Sequence, residues 1–179
     1  SWFAANSTRL SGSGSTYKAS TKGNGRKGIE VVVKYNRMGQ DIPSYGDSDD
    51  MNGAEFNSPF EEFALVMELR DSRYESPGRI IVQKPLAVYV PSERMELSRT
   101  GRRESKMQAK LEAHKEVELD MFRSYVMIYE WIKGIDAARA FEEGLLEKDQ
   151  MIALTLRVEK EMEEKGFRVK DRKPHHIIV

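Results

Sequence analysis

Six cations cluster between positions 94 and 110: Arg94, Arg99, Arg102, Arg103, Lys106 and Lys110. The chain from about 103 to 133 holds good helix formers and neither Gly nor Pro before Gly134, which predicts one long helix. Arg102 and Arg103 then fall near its start, where the helix dipole is already positive and an acid or a bound anion is the usual occupant. Two arginines beside exposed N–H groups suit a phosphate, or the acidic 41–62 stretch of a second copy. An anion- or partner-binding site is the expectation for these six residues.

Other candidate chemistry fails on spacing or context. Gly23-Asn24-Gly25-Arg26-Lys27-Gly28 spells G-x-G-x-x-G. A dinucleotide site needs a strand before it and a helix after it, and the segment precedes a strand instead. A kinase-type glycine loop needs Val two residues past the last Gly, where Glu30 stands, and no H-R-D or D-F-G follows. A flexible basic hinge fits better. Asp47, Asp49, Asp50 and Asn52-Gly53 approach a calcium loop, but Ser48 and Pro59 occupy its first and last ligand positions. His175 and His176 are adjacent, so in an extended segment they point to opposite faces, and His114 stands alone. The absence of cysteine removes disulfides, thiolate nucleophiles and Cys-based metal sites. No nucleophile–base pair and no ligand cluster can be written, so the sequence reads as a non-enzyme without a metal or cofactor.

The first 28 residues carry Arg9, Lys18, Lys22, Arg26 and Lys27 and no acid, while Ser, Thr, Gly and Asn fill sixteen positions. So little apolar surface cannot offset chain entropy, which predicts a flexible, extended basic N-terminal arm. Trp2 and Phe3 at its tip suit gripping a neighbouring subunit or stacking on unpaired bases.

The elements that must position these groups follow from period and punctuation. Residues 29–179 are expected to form a single α+β domain, strand-rich over 29–91 and mainly helical over 92–179. Residues 28–35, with a β-branched centre bounded by glycine, read as a strand, and 38–58 as an acidic loop. Ser58-Pro59-Phe60-Glu61 has the form of a capping box and predicts a helix start. Yet Phe63 to Leu69 is a short apolar run that period alone cannot assign, and a strand is favoured. Arg79–Lys84 reads as a further strand, continuing over 86–90 past Pro85 at an edge or a bulge. Within the long helix, residues 119–132 are apolar on nearly every side, which predicts burial all round. Shorter helices are expected over 136–143, ending at Gly144, and 147–165, ending at Gly166; 167–169 and 176–179 read as extended. The resulting fold is a small antiparallel sheet followed by a helical hairpin or bundle.

Charge is neutral overall but blocked: +5 over residues 1–28, −7 over 29–75, +5 over 76–110 and −3 over 111–179. No run reaches the roughly 18–20 apolar residues of a membrane span, and no secretory h-region opens the chain. An intracellular (cytoplasmic) or virion location is the expectation. The functional expectation is a structural or assembly protein working as a homo-oligomer or within a multi-protein complex, as virion and connector subunits do. The alternative is a nucleic-acid-binding accessory protein using the arm and the Arg94–Lys110 cluster.

Overall fold

The computed structural model describes residues 2–10, 15–23, 28–36, 58–71, 80–96, 108, 111–112, 115, 118–120, 122–168 and 173–179. The chain divides into two compact units, one formed by residues 1–68 and 83–131, the other by 69–82 and 132–179. The protein is α+β, with an antiparallel sheet and separate helices.

The sheet unit grows from two alternating segments. In β2 (Thr16–Ser20), Tyr17 and Ala19 share one face, and in β3 (Glu30–Tyr35) Val31 and Val33 lie opposite them. The strands pair antiparallel from Thr16↔Lys34 to Ser20↔Glu30. Their connection closes through Thr21, whose N–H donates to the Ile29 carbonyl at 2.9 Å and whose Oγ1 accepts from Ile29 N–H at 3.0 Å. Gly28 is required there, because a Cβ at that position would lie 1.9 Å from the Thr21 carbonyl oxygen. A one-turn helix α1 (Trp2–Asn6) leads into β1 (Ser7–Arg9), which pairs with β2, Arg9 opposite Tyr17. On the other side β5 (Val126–Glu130) pairs with β3, and β4 (Pro85–Tyr89) forms the far edge with a register shift between Pro85 and Ala87. The order is β1-β2-β3-β5-β4, antiparallel throughout.

Helix α2 (Pro59–Leu69) covers one face of this sheet. Ser58 Oγ accepts from Glu61 N–H at 3.4 Å, and Pro59, fully buried, occupies the first helical position, where no amide donor is missed. Phe63 and Val66 reach down onto Val32, Met127 and Tyr129, with Met127 wholly inaccessible at the centre. Register dictates this cluster: Val32 opposes Tyr129 and Lys34 opposes Met127, so all four lie on the face that α2 covers.

In the second unit Asp136 caps α3 (Ala137–Glu142), accepting from Arg139 N–H at 3.0 Å. Gly144, at φ +72°, ends that helix as its C-terminal residue type requires. Gln150 accepts from the Glu147 N–H at 2.8 Å at the start of α4 (Lys148–Glu164). A 3₁₀ turn at Pro174–His176 leads to the last residues, which bond back to the 135–137 segment through Ile135, Ala137, Ile177 and Val179. No described helix is long and apolar enough to cross a membrane.

Several expectations are corrected. The described residues of the N-terminal segment are not a detached arm: α1, β1 and β2 belong to the sheet unit, and β2 pairs along its whole length with β3. Composition counted the segment's few apolar groups and missed the backbone ladder that a neighbouring three-valine strand makes available. Residues 61–69 are helix, as the capping signal indicated and the apolar run did not. Residues 80–84 are not a strand; strand structure begins at Pro85. The long helix is contradicted at its C-terminal end, where 126–130 is β5. A strand buried on both faces is greasy at every position, and so is a helix buried all round; length and turn signals did not separate them here. The acidic loop, apart from Ser58, and most of the 103–121 stretch lie outside the described residues.

Candidate functional site

A polar cluster sits where α2 crosses β3 and β5. Glu62 projects from the first turns of α2 toward the sheet face that Lys34 and Tyr129 share. Lys34 Nζ donates to Glu62 Oε1 at 2.6 Å. The Tyr129 hydroxyl donates to the same oxygen. Asn36, just past the end of β3, donates from Nδ2 to Glu62 Oε2 at 3.2 Å. Three donors, from β3, from the residue that follows it and from β5, thus converge on one carboxylate carried by the helix. Asn36 is only 6% exposed, and its Oδ1 is the one buried side-chain polar atom without a partner among the described residues.

The environment of each group decides its chemistry. Burial and the neighbouring Glu62 carboxylate push the Tyr129 phenol well above the usual tyrosine range. Tyr129 is therefore a permanent donor. Lys34 retains partial access to solvent, its side chain being 42% exposed, so its ammonium can meet a ligand while staying tied to Glu62. A lysine held this way is a fixed point charge with part of its side chain open to solvent, suited to a phosphate.

Tyr129 also implies a pH dependence. A phenol that keeps its proton in the fold but loses it near pH 10 when unfolded lends stability that is whole below about pH 10 and falls as pH rises further. Urea titrations should show the unaltered chain losing more stability above about pH 10 than Tyr129→Phe does. Equal losses would contradict the burial of this hydroxyl against Glu62.

The residues singled out from sequence are placed differently. Trp2 is exposed on α1, with Lys22 Nζ 5.6 Å from its ring centroid. Phe3 meets Tyr17 edge-on at 5.4 Å, and Tyr17 meets Tyr35 at 6.1 Å, so these rings cover the sheet face opposite α2. Arg9 is exposed in β1. Lys18 is spent within the fold, 2.5 Å from Glu30 and 4.4 Å from the Trp131 ring centroid. Arg94 lies over Phe122 and 3.2 Å from Asp120 Oδ1, and Arg123 approaches the other Asp120 oxygen at 3.5 Å. Burial alone would raise the Asp120 carboxyl, but the Phe122 N–H and the two guanidinium groups outweigh it and hold the group below the usual range. Arg94 thus has an internal partner. Arg26, Lys27, Arg99, Arg102, Arg103, Lys106 and Lys110 lie outside the described residues. Among the described residues no three His, Asp or Glu side chains are placed to hold a metal ion.

Sequence reasoning missed Lys34, Asn36, Glu62 and Tyr129. Two local signals were present. Val31-Val32-Val33-Lys34 places a lysine at the next-to-last position of a strand, and Gly12-Ser13-Gly14 lies between β1 and β2 in a segment that composition had dismissed as an arm. Glu62 and Tyr129 carried no local signal, because they meet Lys34 only through the fold.

Comparison with protein-family models, with curated proteins and with solved structures finds no match to this chain.

Proposed function

We propose that the sheet unit binds the phosphates of a nucleoside triphosphate as the amino-terminal lobe of a protein kinase does, with Lys34 as the phosphate-contacting lysine. The ion pair between Lys34 on the third strand and Glu62 on α2 carries this reading. Protein kinases place a lysine on their third strand at the end of V-A-I-K, pair it with a glutamate of the following helix, and cover the phosphates with a glycine-rich loop. Here the third strand carries Val31-Val32-Val33-Lys34, one residue before its end at Tyr35, and α2 supplies the glutamate. Gly12 and Gly14 fall between the first two strands, in a stretch outside the described residues. The wider pattern is partial: Tyr17 and Ala19 stand where the third glycine and its valine would be.

Toward the C-terminus, Asp171 precedes His176 by the five positions that separate Asp from Asn in the kinase catalytic loop H-R-D-x-x-x-x-N. Asp171, outside the described residues, is then the group that accepts the proton of the attacking hydroxyl. Val169 and Lys170 replace His and Arg, and His176 replaces the Asn that holds the second metal ion, which puts that ligand in doubt. The reaction class is transfer of the terminal phosphoryl group from nucleotide to a hydroxyl acceptor. Lys34 neutralises phosphate charge and Glu62 fixes its position.

The assembly and nucleic-acid readings drew on a detached basic arm and on the Arg94–Lys110 cluster; they lose the first support once β2 pairs with β3, and the cluster apart from Arg94 lies outside the described residues. The test is urea unfolding of the full chain with and without magnesium and ATP. A ligand present at about a hundred times its dissociation constant adds about 2.7 kcal/mol. Stabilisation of that order, absent with adenosine alone, is expected; none at millimolar nucleotide contradicts the reading.

A further inference from the structure

We propose that Asn36 and Tyr129 are positioning residues that clamp Glu62, so that the Lys34–Glu62 pair is assembled by the strands themselves and needs no bound ligand, partner or modification to bring α2 in. The inference deepens the nucleotide-binding reading of Lys34 and rests on it for its functional consequence.

Two observations carry it independently of that reading. The Glu62 carboxylate is engaged from both of its oxygens: Lys34 and Tyr129 donate to Oε1, and Asn36 donates to Oε2. One ion pair alone leaves a carboxylate free to rotate and a helix free to swing, whereas donors on both oxygens fix its plane. The second observation is the cost borne by Asn36. Its Oδ1 is buried without a donor among the described residues, a state that proteins avoid. An apolar residue would fill the same place without an orphaned acceptor. What Asn36 offers in return is the Nδ2 donor aimed at Glu62. Tyr129 acts alike, since phenylalanine would satisfy the Val32–Met127 cluster equally well and lacks only the hydroxyl.

Where the helix glutamate swings freely, pairing with the lysine is the controlled step in kinase-type sites. Here Phe63 and Val66 anchor the body of α2 in the apolar cluster, and the clamp fixes the turn that carries Glu62. The paired state is therefore the resting state of this chain.

Hydrogen exchange of the full chain without nucleotide, read at the α2 amides, tests the clamp directly. Asn36→Leu and Tyr129→Phe each remove one hydrogen bond to a charged group, which amounts to about ten-fold in a local opening equilibrium. Exchange around residues 61–65 should be about ten-fold faster in either variant, while the β3 and β5 amides stay unchanged. Asn36→Asp, which keeps the shape but sets a carboxylate against Glu62 in place of the donor, should behave at least as severely, and Asn36→Gln should restore part of the protection. A role confined to packing predicts that Tyr129→Phe, which keeps the ring and loses only the hydroxyl, leaves α2 exchange unchanged. Unchanged α2 exchange in Asn36→Leu and Tyr129→Phe overturns the clamp, whether or not nucleotide binds. Faster exchange in a chain that binds no nucleotide upholds the clamp and removes the phosphate reading instead. Where both hold, ATP affinity should fall in parallel with α2 protection across the series.

Discussion

Lys34→Met is expected to weaken nucleotide binding by about ten- to a hundred-fold and to leave folding stability nearly unchanged. The two effects separate because Lys34 serves two partners of unequal consequence. Its pair with Glu62 is partly exposed, and such pairs contribute about 0–1 kcal/mol. Glu62 also keeps Tyr129 and Asn36 as donors when the lysine is gone. A charged hydrogen bond to phosphate is worth about 1.5–3 kcal/mol, and each 1.4 kcal/mol is about ten-fold in affinity. Titration with a fluorescent ATP analogue, beside urea unfolding of the same samples, measures both. Lys34→Arg should retain charge but not geometry, and fall between the two. Unaltered affinity in Lys34→Met would remove Lys34 from the site.

Glu62→Ala is expected to act on the fold itself, lowering stability by about 2–4 kcal/mol. Truncation newly leaves the Tyr129 hydroxyl and the Asn36 Nδ2 without partners, and each orphaned buried group costs about 1–3 kcal/mol. Lys34 contributes little to this loss, because water can reach it. Glu62→Gln should cost much less, since one carbonyl oxygen still accepts from Tyr129, and its amide can donate to Asn36 Oδ1 if that side chain turns over. The ordering Glu62→Ala well below Glu62→Gln, read from urea midpoints, identifies hydrogen-bond satisfaction as the cause. Equal losses would point to charge alone.

How much of this was legible in the sequence depends on how local each signal is. The strand at Glu30–Tyr35 was readable because three consecutive valines between glycine and a loop leave no competing reading. The ends of α3 and α4 were readable from Gly144 and Gly166, both with φ near +70° to +80°. The start of α2 was readable from Ser58 and Pro59, yet Phe63–Leu69 still looked like a strand, because so short a run, apolar but for Glu68, fits either period. β5 was hidden within a stretch of good helix formers, and only its pairing with β3 reveals Val126–Glu130 as extended. The N-terminal segment was misjudged because composition measures what a segment buries, not the ladder a neighbour offers it. As for the site, Lys34 and the glycines at 12 and 14 were visible but unconnected. Glu62 lies 28 residues from Lys34 and Tyr129 lies 67 from Glu62, and no local pattern joins them.

Affinity labelling tests the central claim most directly. An ATP derivative with a reactive acyl group on its terminal phosphate transfers that group to whichever lysine amine rests against the phosphates. Mass spectrometry of the digested full chain then reports the acceptor. Acylation concentrated on Lys34 and suppressed by excess unlabelled ATP with magnesium is the expected result. Acylation scattered over other lysines, or an acylated Lys34 indifferent to ATP, would contradict it.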